Sequence, residues 1–263
     1  FDIERLDKPG ILMVFLVLFA ASRLALGQGT PQPMQSRPGK DWQIKQATTA
    51  PANRARVHAA YPYIAWEQTA QQIYSLELYD TEHGKLRTVI TGNSRLQLCG
   101  ISTTHLVYQN NQGRLIAYNI TNNEHVTIAE NSGGVVVAEG VVAWCKGGEG
   151  SWQIWIYDLR KTDAKLITEN PSPARAFNTD GSTVVWFTGQ GESSSLHAMH
   201  IASGRTRKIF EGEQDRVSHP LVAGNFVIWL QNNDKALDSF LECHNLATNK
   251  TWRINTRKEY VNL

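Results

Sequence analysis

The amino-acid sequence predicts an all-β molecule, a β-propeller of four-stranded antiparallel blades, and three observations carry that expectation. An aromatic residue preceded by an apolar pair recurs at Trp66, Tyr108, Trp144, Trp186 and Trp229, with spacings of 42, 36, 42 and 43 residues. A polar residue closes the following strand 11–16 residues later, at Asp80, Asn119, Asp158, His200 and Asn245. Nine residues beyond each of these stands a β-branched aliphatic residue: Val89, Ile128, Ile167, Ile209 and Ile254. Three anchors that keep step five times mark a repeat of about 40 residues, the length of a propeller blade. A β-sandwich also shows regular turns, but it has no reason for self-similarity at this period.

Within one repeat the strands follow from composition. Val141–Ile167 reads as VVAW, a glycine-rich turn KGGEGS, an alternating strand WQIWIYD, a polar turn LRKTDA and a closing KLI. β-Branched and aromatic runs bounded by Gly, Ser, Asp and Asn are the signature of an antiparallel meander. The gap between second and third anchors holds a hairpin turn each time: TEHGK, TNNEH, RKTDA, ASGRT and ATNKT. A fourth strand precedes each aromatic: RVHAA, RLQLC, GVVVA, ARAFN and VSHPLVA. One such sheet cannot bury its faces alone, so repetition supplies the core. That assigns Trp66, Trp144, Trp186 and Trp229 to packing between blades rather than to a ligand.

The pattern DGSTVVW…QIWIYDL…KLIT resembles the repeat of TolB-like β-propellers, which usually have six blades. The resemblance spans about Asp41–Leu263. It implies a fold and leaves function open, since such propellers include binding scaffolds, sensors and non-catalytic domains of peptidases. Two copies depart from it: the fourth blade has LHAMH where IYxYD is expected, and the fifth has LECHN.

Three parts are expected along the chain. Residues 1–27 contain Ile11–Ala21, eleven apolar residues without a charge. That is short of the roughly 20 needed to span a bilayer and fits the core of a secretory signal, with cleavage before Gln28. An uncleaved membrane anchor is the alternative. Residues 28–40 are rich in Pro, Gln and Gly and read as a linker. Residues 41–263 form the propeller, with five full blades. Trp42–Ala47 reads as the outermost strand of a sixth blade and Glu259–Leu263 as its innermost strand. Truncation and an irregular ring closure both remain open from the sequence. A leader followed by a linker places the domain outside the cytoplasm: periplasmic, cell-surface or secreted.

A net charge of +2 without runs of Lys or Arg gives no field for nucleic acid. Cys99, Cys145 and Cys243 are an odd number in three different blades, which argues for small core residues rather than a disulfide framework. No nucleophile, metal or nucleotide motif is found, and no cofactor or metal is expected. His197 and His200 sit at an odd spacing on one strand and so face opposite ways.

Two groups remain as candidate sites. His58, Arg175 and His219, with Arg56 and Arg216, fall on innermost strands and are candidates for lining a central channel. The loops between second and third strands are expected at Glu67–Gln72, Asn110–Gly113, Lys146–Trp152, Gln190–Ser195 and Gln231–Asp238, all on one face of the ring. Loops on a rigid frame are where binding is usually placed. Trp152 beside Gly150, with the amides of Gln190 and Asn232, suits a polar peptide or a sugar by stacking and hydrogen bonding. Glu149 and Glu192 are the carboxylates that glycoside hydrolysis would need as a pair. The expected function is a non-enzymatic scaffold binding protein or polysaccharide on this loop face. The alternatives are a polysaccharide-active hydrolase or lyase, and the substrate-gating propeller of a larger peptidase-like enzyme.

Overall fold

The structure, a computed structural model, describes residues 52–147, 152–168, 174–190, 193–213, 217–233 and 238–254. Every regular element among them is a strand, and the strands form five antiparallel four-stranded sheets. The first blade holds β1 (Asn53–Ala60), β2 (Tyr63–Ala70), β3 (Ile73–Asp80) and β4 (Lys85–Gly92). The second holds β5 (Gln97–Ile101), β6 (His105–Gln109), β7 (Leu115–Asn119) and β8 (His125–Ala129). In the third are β9 (Val135–Ala138), β10 (Val141–Lys146), β11 (Gln153–Asp158) and β12 (Asp163–Leu166). The fourth comprises β13 (Ala174–Thr179), β14 (Thr183–Gln190), β15 (Ser193–His200) and β16 (Arg205–Glu213). The fifth comprises β17 (Val217–Ala223), β18 (Phe226–Asn233), β19 (Asp238–Asn245) and β20 (Lys250–Ile254). Each sheet is paired in chain order, and β1, β5, β9, β13 and β17 touch in succession, so the first strand of each blade is innermost. The leader, the linker and both candidate strands of a sixth blade lie outside the described residues.

Alternation along the strands explains the core. Val184 and Trp186 face the third blade, while Val185 and Phe187 face the fifth. Each of the four buried clusters therefore spans two consecutive blades. Tyr108, Trp144, Trp186 and Trp229 each enter the seam with the preceding blade and are at most 4% exposed. Burying a side chain of this kind stabilises the fold by about 1.5–3 kcal/mol through the removal of apolar surface from water.

The other two anchors also acquire causes. Asp80, Asn119, Asp158 and Asn245 each turn a side-chain oxygen onto backbone amides of the following hairpin, for example Asp80 Oδ1 on the amides of Glu82 and His83 at 2.9 and 3.0 Å. A short acceptor at that position caps the turn. In the fourth blade His200 does the same through Nδ1, which accepts from the Ser203 amide at 3.4 Å. The third anchor marks the outer strand's bulge in three blades: Val89, Ile128 and Ile209 stand unpaired where the register shifts. Each packs against the seam with the next blade.

Candidate functional site

The innermost strands carry a bulge in four of the five blades, at Ala55/His58, Leu98/Gly100, Ala174/Phe177 and Ser218/Leu221. Bulges break the ladder and re-aim side chains. Arg56, Cys99, Arg175 and His219 take the same place, the first unpaired residue of each bulge. Of the residues assigned to the channel by sequence, Arg56 and His219 are equivalent in register, each following the partner of the residue after the anchor aromatic (Glu67 and Leu230), whereas Arg175 follows the partner of Thr188, one step further along. For Arg175 and His219 the description stops at the backbone, and Arg216 lies outside the described residues.

Around Arg56 the chemistry is structural. Its φ is +45°, and its Nε stands 3.3 Å from Glu67 Oε1. The same oxygen accepts the Leu98 amide of the second blade at 2.8 Å, so Glu67 ties two blades together. Cys99 follows directly, and burial pushes its thiol up to about 12. His58, half-buried and opposite Ala65, is pushed below its ordinary value by burial and then by the Arg56 charge. A neutral imidazole beside an ion pair can donate or accept a hydrogen bond at neutral pH. All three cysteines are free; Cys243 is buried and the other two half-buried.

The expected loops at 67–72, 190–195 and 231–238 are shorter than their composition predicts. Residues 67–70 belong to β2, which leaves Gln71 and Gln72 as the turn, both at positive φ. Gln190 pairs with Ser193 at the tip of the fourth blade. Asn232 is likewise within β18, opposite Ser239. Polar tips extend the ladder because backbone hydrogen bonding does not require apolar side chains. Glu149 and Glu192, the carboxylate pair, lie outside the described residues.

Trp152 is half-buried rather than free. It packs against the cluster between the third and fourth blades and walls a cavity of about 340 Å3 with Val135, Val136, Cys145 and Phe177. Gly133 makes this approach possible: a Cβ there would lie 2.7 Å from Cys145 Sγ and 3.0 Å from the Trp152 ring. The cavity is mostly apolar, because β9 and the β13 end of the fourth blade both direct apolar residues toward it.

These five meander sheets, stacked face to face around their first strands, decide the architecture. The fold is a β-propeller. No family model matches the sequence, and no curated protein does either. Among solved structures the chain is similar to TolB from Acinetobacter baumannii, at 13% identity over 73% of this chain and 52% of that one, with a TM-score of 0.50. It is similar to a prolyl endopeptidase at 10% identity over 79% and 37%, with a TM-score of 0.61. It is also similar to oligopeptidase B from Leishmania major at 11% over 79% and 34%, with a TM-score of 0.56. The chain spans about half of the TolB chain and about a third of either peptidase. The resemblance to TolB-like propellers holds at the level of the fold.

The opposite face of the ring holds what sequence reasoning passed over. Basic side chains seven residues after the second anchor reach into the next blade. Arg87 donates to Ile120 O at 2.7 Å and Asn123 Oδ1 at 2.9 Å, and Arg207 donates to Leu246 O. Lys165 holds the same position and approaches Gly204, where a Cβ would lie 3.4 Å from its Nζ. Counting on from the second anchor finds a basic residue in these three blades, while Val126 and Trp252 hold the position in the second and fifth. Beside Arg207 lies a larger cavity, about 620 Å3, lined in part by His200, one of the residues at which the fourth blade departs from the TolB-like repeat.

Proposed function

We propose that the chain is an extracytoplasmic binding scaffold, without catalysis of its own, that holds a protein segment on the face carrying Trp152. The observation that supports this reading is the cavity beside Trp152. Its walls of Val135, Val136 and Phe177 suit an apolar side chain, whereas a sugar would leave its hydroxyls without partners there. Concave apolar sites with few polar groups are where ligands are commonly held. The apolar Ile11–Ala21 and the Pro-rich segment after it support export of the domain.

The test is to pan a displayed peptide library against the purified protein, with a polysaccharide panel beside it assayed for retention and for release of reducing ends. Peptides sharing an apolar anchor, and losing affinity when Val136→Trp fills the cavity without lowering the thermal midpoint, support the reading. Polysaccharide retention with no peptide enrichment redirects it to a glycan, and release of reducing ends overturns it in favour of a polysaccharide-active enzyme. A second reading, the substrate-gating propeller of a larger peptidase-like enzyme, is supported by the two peptidases of which this chain spans about a third. Reading the coding sequence past Leu263 decides it: a hydrolase domain in frame supports this reading, and a stop codon within one blade's length removes it.

A further inference from the structure

The first and fourth blades present the same five positions to the cleft with their next neighbour, with Ala65 and Val185 buried at a sixth. In the first blade, register aligns Tyr63 with Asp80 and Lys85, and beneath them Ala65 with Leu78 and Arg87. In the fourth, Thr183 aligns with His200 and Arg205, and beneath them Val185 with Ala198 and Arg207. The lower arginine reaches across to the neighbouring turn in both. The cleft after the first blade measures about 200 Å3, and that after the fourth about 620 Å3.

The difference comes from three side chains. Thr183 stands where Tyr63 fills the first cleft, and Ala198 where Leu78 does, so the floor and one wall are cut away. His200 stands where Asp80 supplies a carboxylate. With it goes the negative charge, while Lys85 becomes Arg205 and the guanidinium of Arg207 is kept. The imidazole still caps its turn: Nδ1 accepts from Ser203, which leaves Nε2–H as a donor. Among the described residues the Arg205 side chain has no hydrogen bond or ion pair. The carboxylate of Asp180, on the turn before β14, lies outside the lining and is occupied by the amides of Ser182, Thr183 and Gly224. Those bonds hold it below its ordinary value although burial works to raise it.

We propose that the cleft between the fourth and fifth blades binds a sugar anion, a phosphorylated or carboxylated monosaccharide. Guanidinium forks recognise phosphate and carboxylate through paired charge-assisted hydrogen bonds. Thr183, Ser203 and Asn225 line the cleft with polar groups that match sugar hydroxyls, and Ala198 and Leu246 give an apolar surface for a ring face. The volume falls within the roughly 300–1,000 Å3 of small-molecule sites. This site is at the other end of the strands from Trp152 and does not depend on the reading of that face.

The test is calorimetric titration of the whole protein with glucose 6-phosphate, glucuronate, inorganic phosphate and glucose. A sugar anion is expected to bind at least about tenfold more tightly than phosphate or glucose, since charge and hydroxyls act together. The tighter of the two sugar anions names the charged group. Arg205→Gln and His200→Asp should each weaken it about tenfold or more. His200→Asp restores the residue that the first blade uses, so the thermal midpoint should hold, and Ala198→Leu should close the floor. Failure of both sugar anions to bind overturns the proposal. So does equal binding of phosphate or glucose, or affinity unchanged in both Arg205→Gln and His200→Asp.

Discussion

The third and fourth blades are built on one register and differ in the chemistry placed on it. In the third, Trp144 stacks on Trp155 with ring centroids 6.3 Å apart and planes at 16°, and Asp158 caps the outer turn. In the fourth, Trp186 stacks on His197 at 5.5 Å and 18°, and His200 caps the turn. Geometry is preserved while an indole and a carboxylate give way to two imidazoles. The backbone ladder dictates which side chains meet, but any flat ring satisfies the first position and any short acceptor the second. One blade can therefore acquire pH response and ligand chemistry without loss of packing.

The largest effect should come from the shared element. Trp144→Ala should cost about 3–5 kcal/mol, as for other buried tryptophans, and Trp186→Ala the same; chemical denaturation gives both. A difference well beyond ~1 kcal/mol, the usual context scatter between like core sites, would break the equivalence. Next comes the joint between the two blades. Gly181 has a φ of +90°, and a Cβ on it would lie 2.5 Å from the Glu139 carbonyl oxygen. Gly181→Ala should lower stability by at least about 2 kcal/mol through strain and forced separation of the turns.

The pH response should separate the blades. His197 is pushed below its ordinary 6.5 by burial, then by the Lys208 charge, with Glu211 opposing. The folded state therefore binds this proton less readily than the unfolded chain. Stability from the neutral ring is full above pH 6.5 and is lost as pH falls below that value toward the folded pKa. The thermal midpoint should fall between pH 7 and pH 5, and His197→Gln, which keeps a partner for Thr188, should flatten that fall. His58, His105, His125 and His244 are displaced the same way by burial and should leave a residual slope. An unchanged slope in His197→Gln would deny the fourth blade its distinct response. The smallest effect belongs to Asp158→Asn. Asn119 and Asn245 cap equally well, so only the ion pairs with exposed Arg160 and Lys161 are lost, less than about 1 kcal/mol by denaturation.

Local periodicity made most of the fold legible. Trp66, Asp80 and Val89 could be counted because a buried aromatic, a turn cap and a bulge each demand a narrow choice of residue. Polar tips were not legible: Glu67–Ala70 reads as loop by composition, yet strand pairing there needs only backbone amides. Trp152 was found by type, but its half-burial depends on Gly133 and Phe177, which lie far from it along the chain or in another blade. The cleft after the fourth blade is a missing volume, and no single residue announces an absence of bulk. Its trace in the sequence was LHAMH, visible as a departure before it had a place.

Among the described residues, no buried cluster belongs to one blade; each belongs to the boundary between two. The unit of heredity and the unit of cohesion are therefore out of phase by half a repeat. A duplication that copies a whole blade carries one left face and one right face, and so creates a new boundary of the old kind without redesign. A break within a blade leaves two faces that match nothing. Ring size can thus drift in whole blades, while each blade keeps its exposed turns free to specialise.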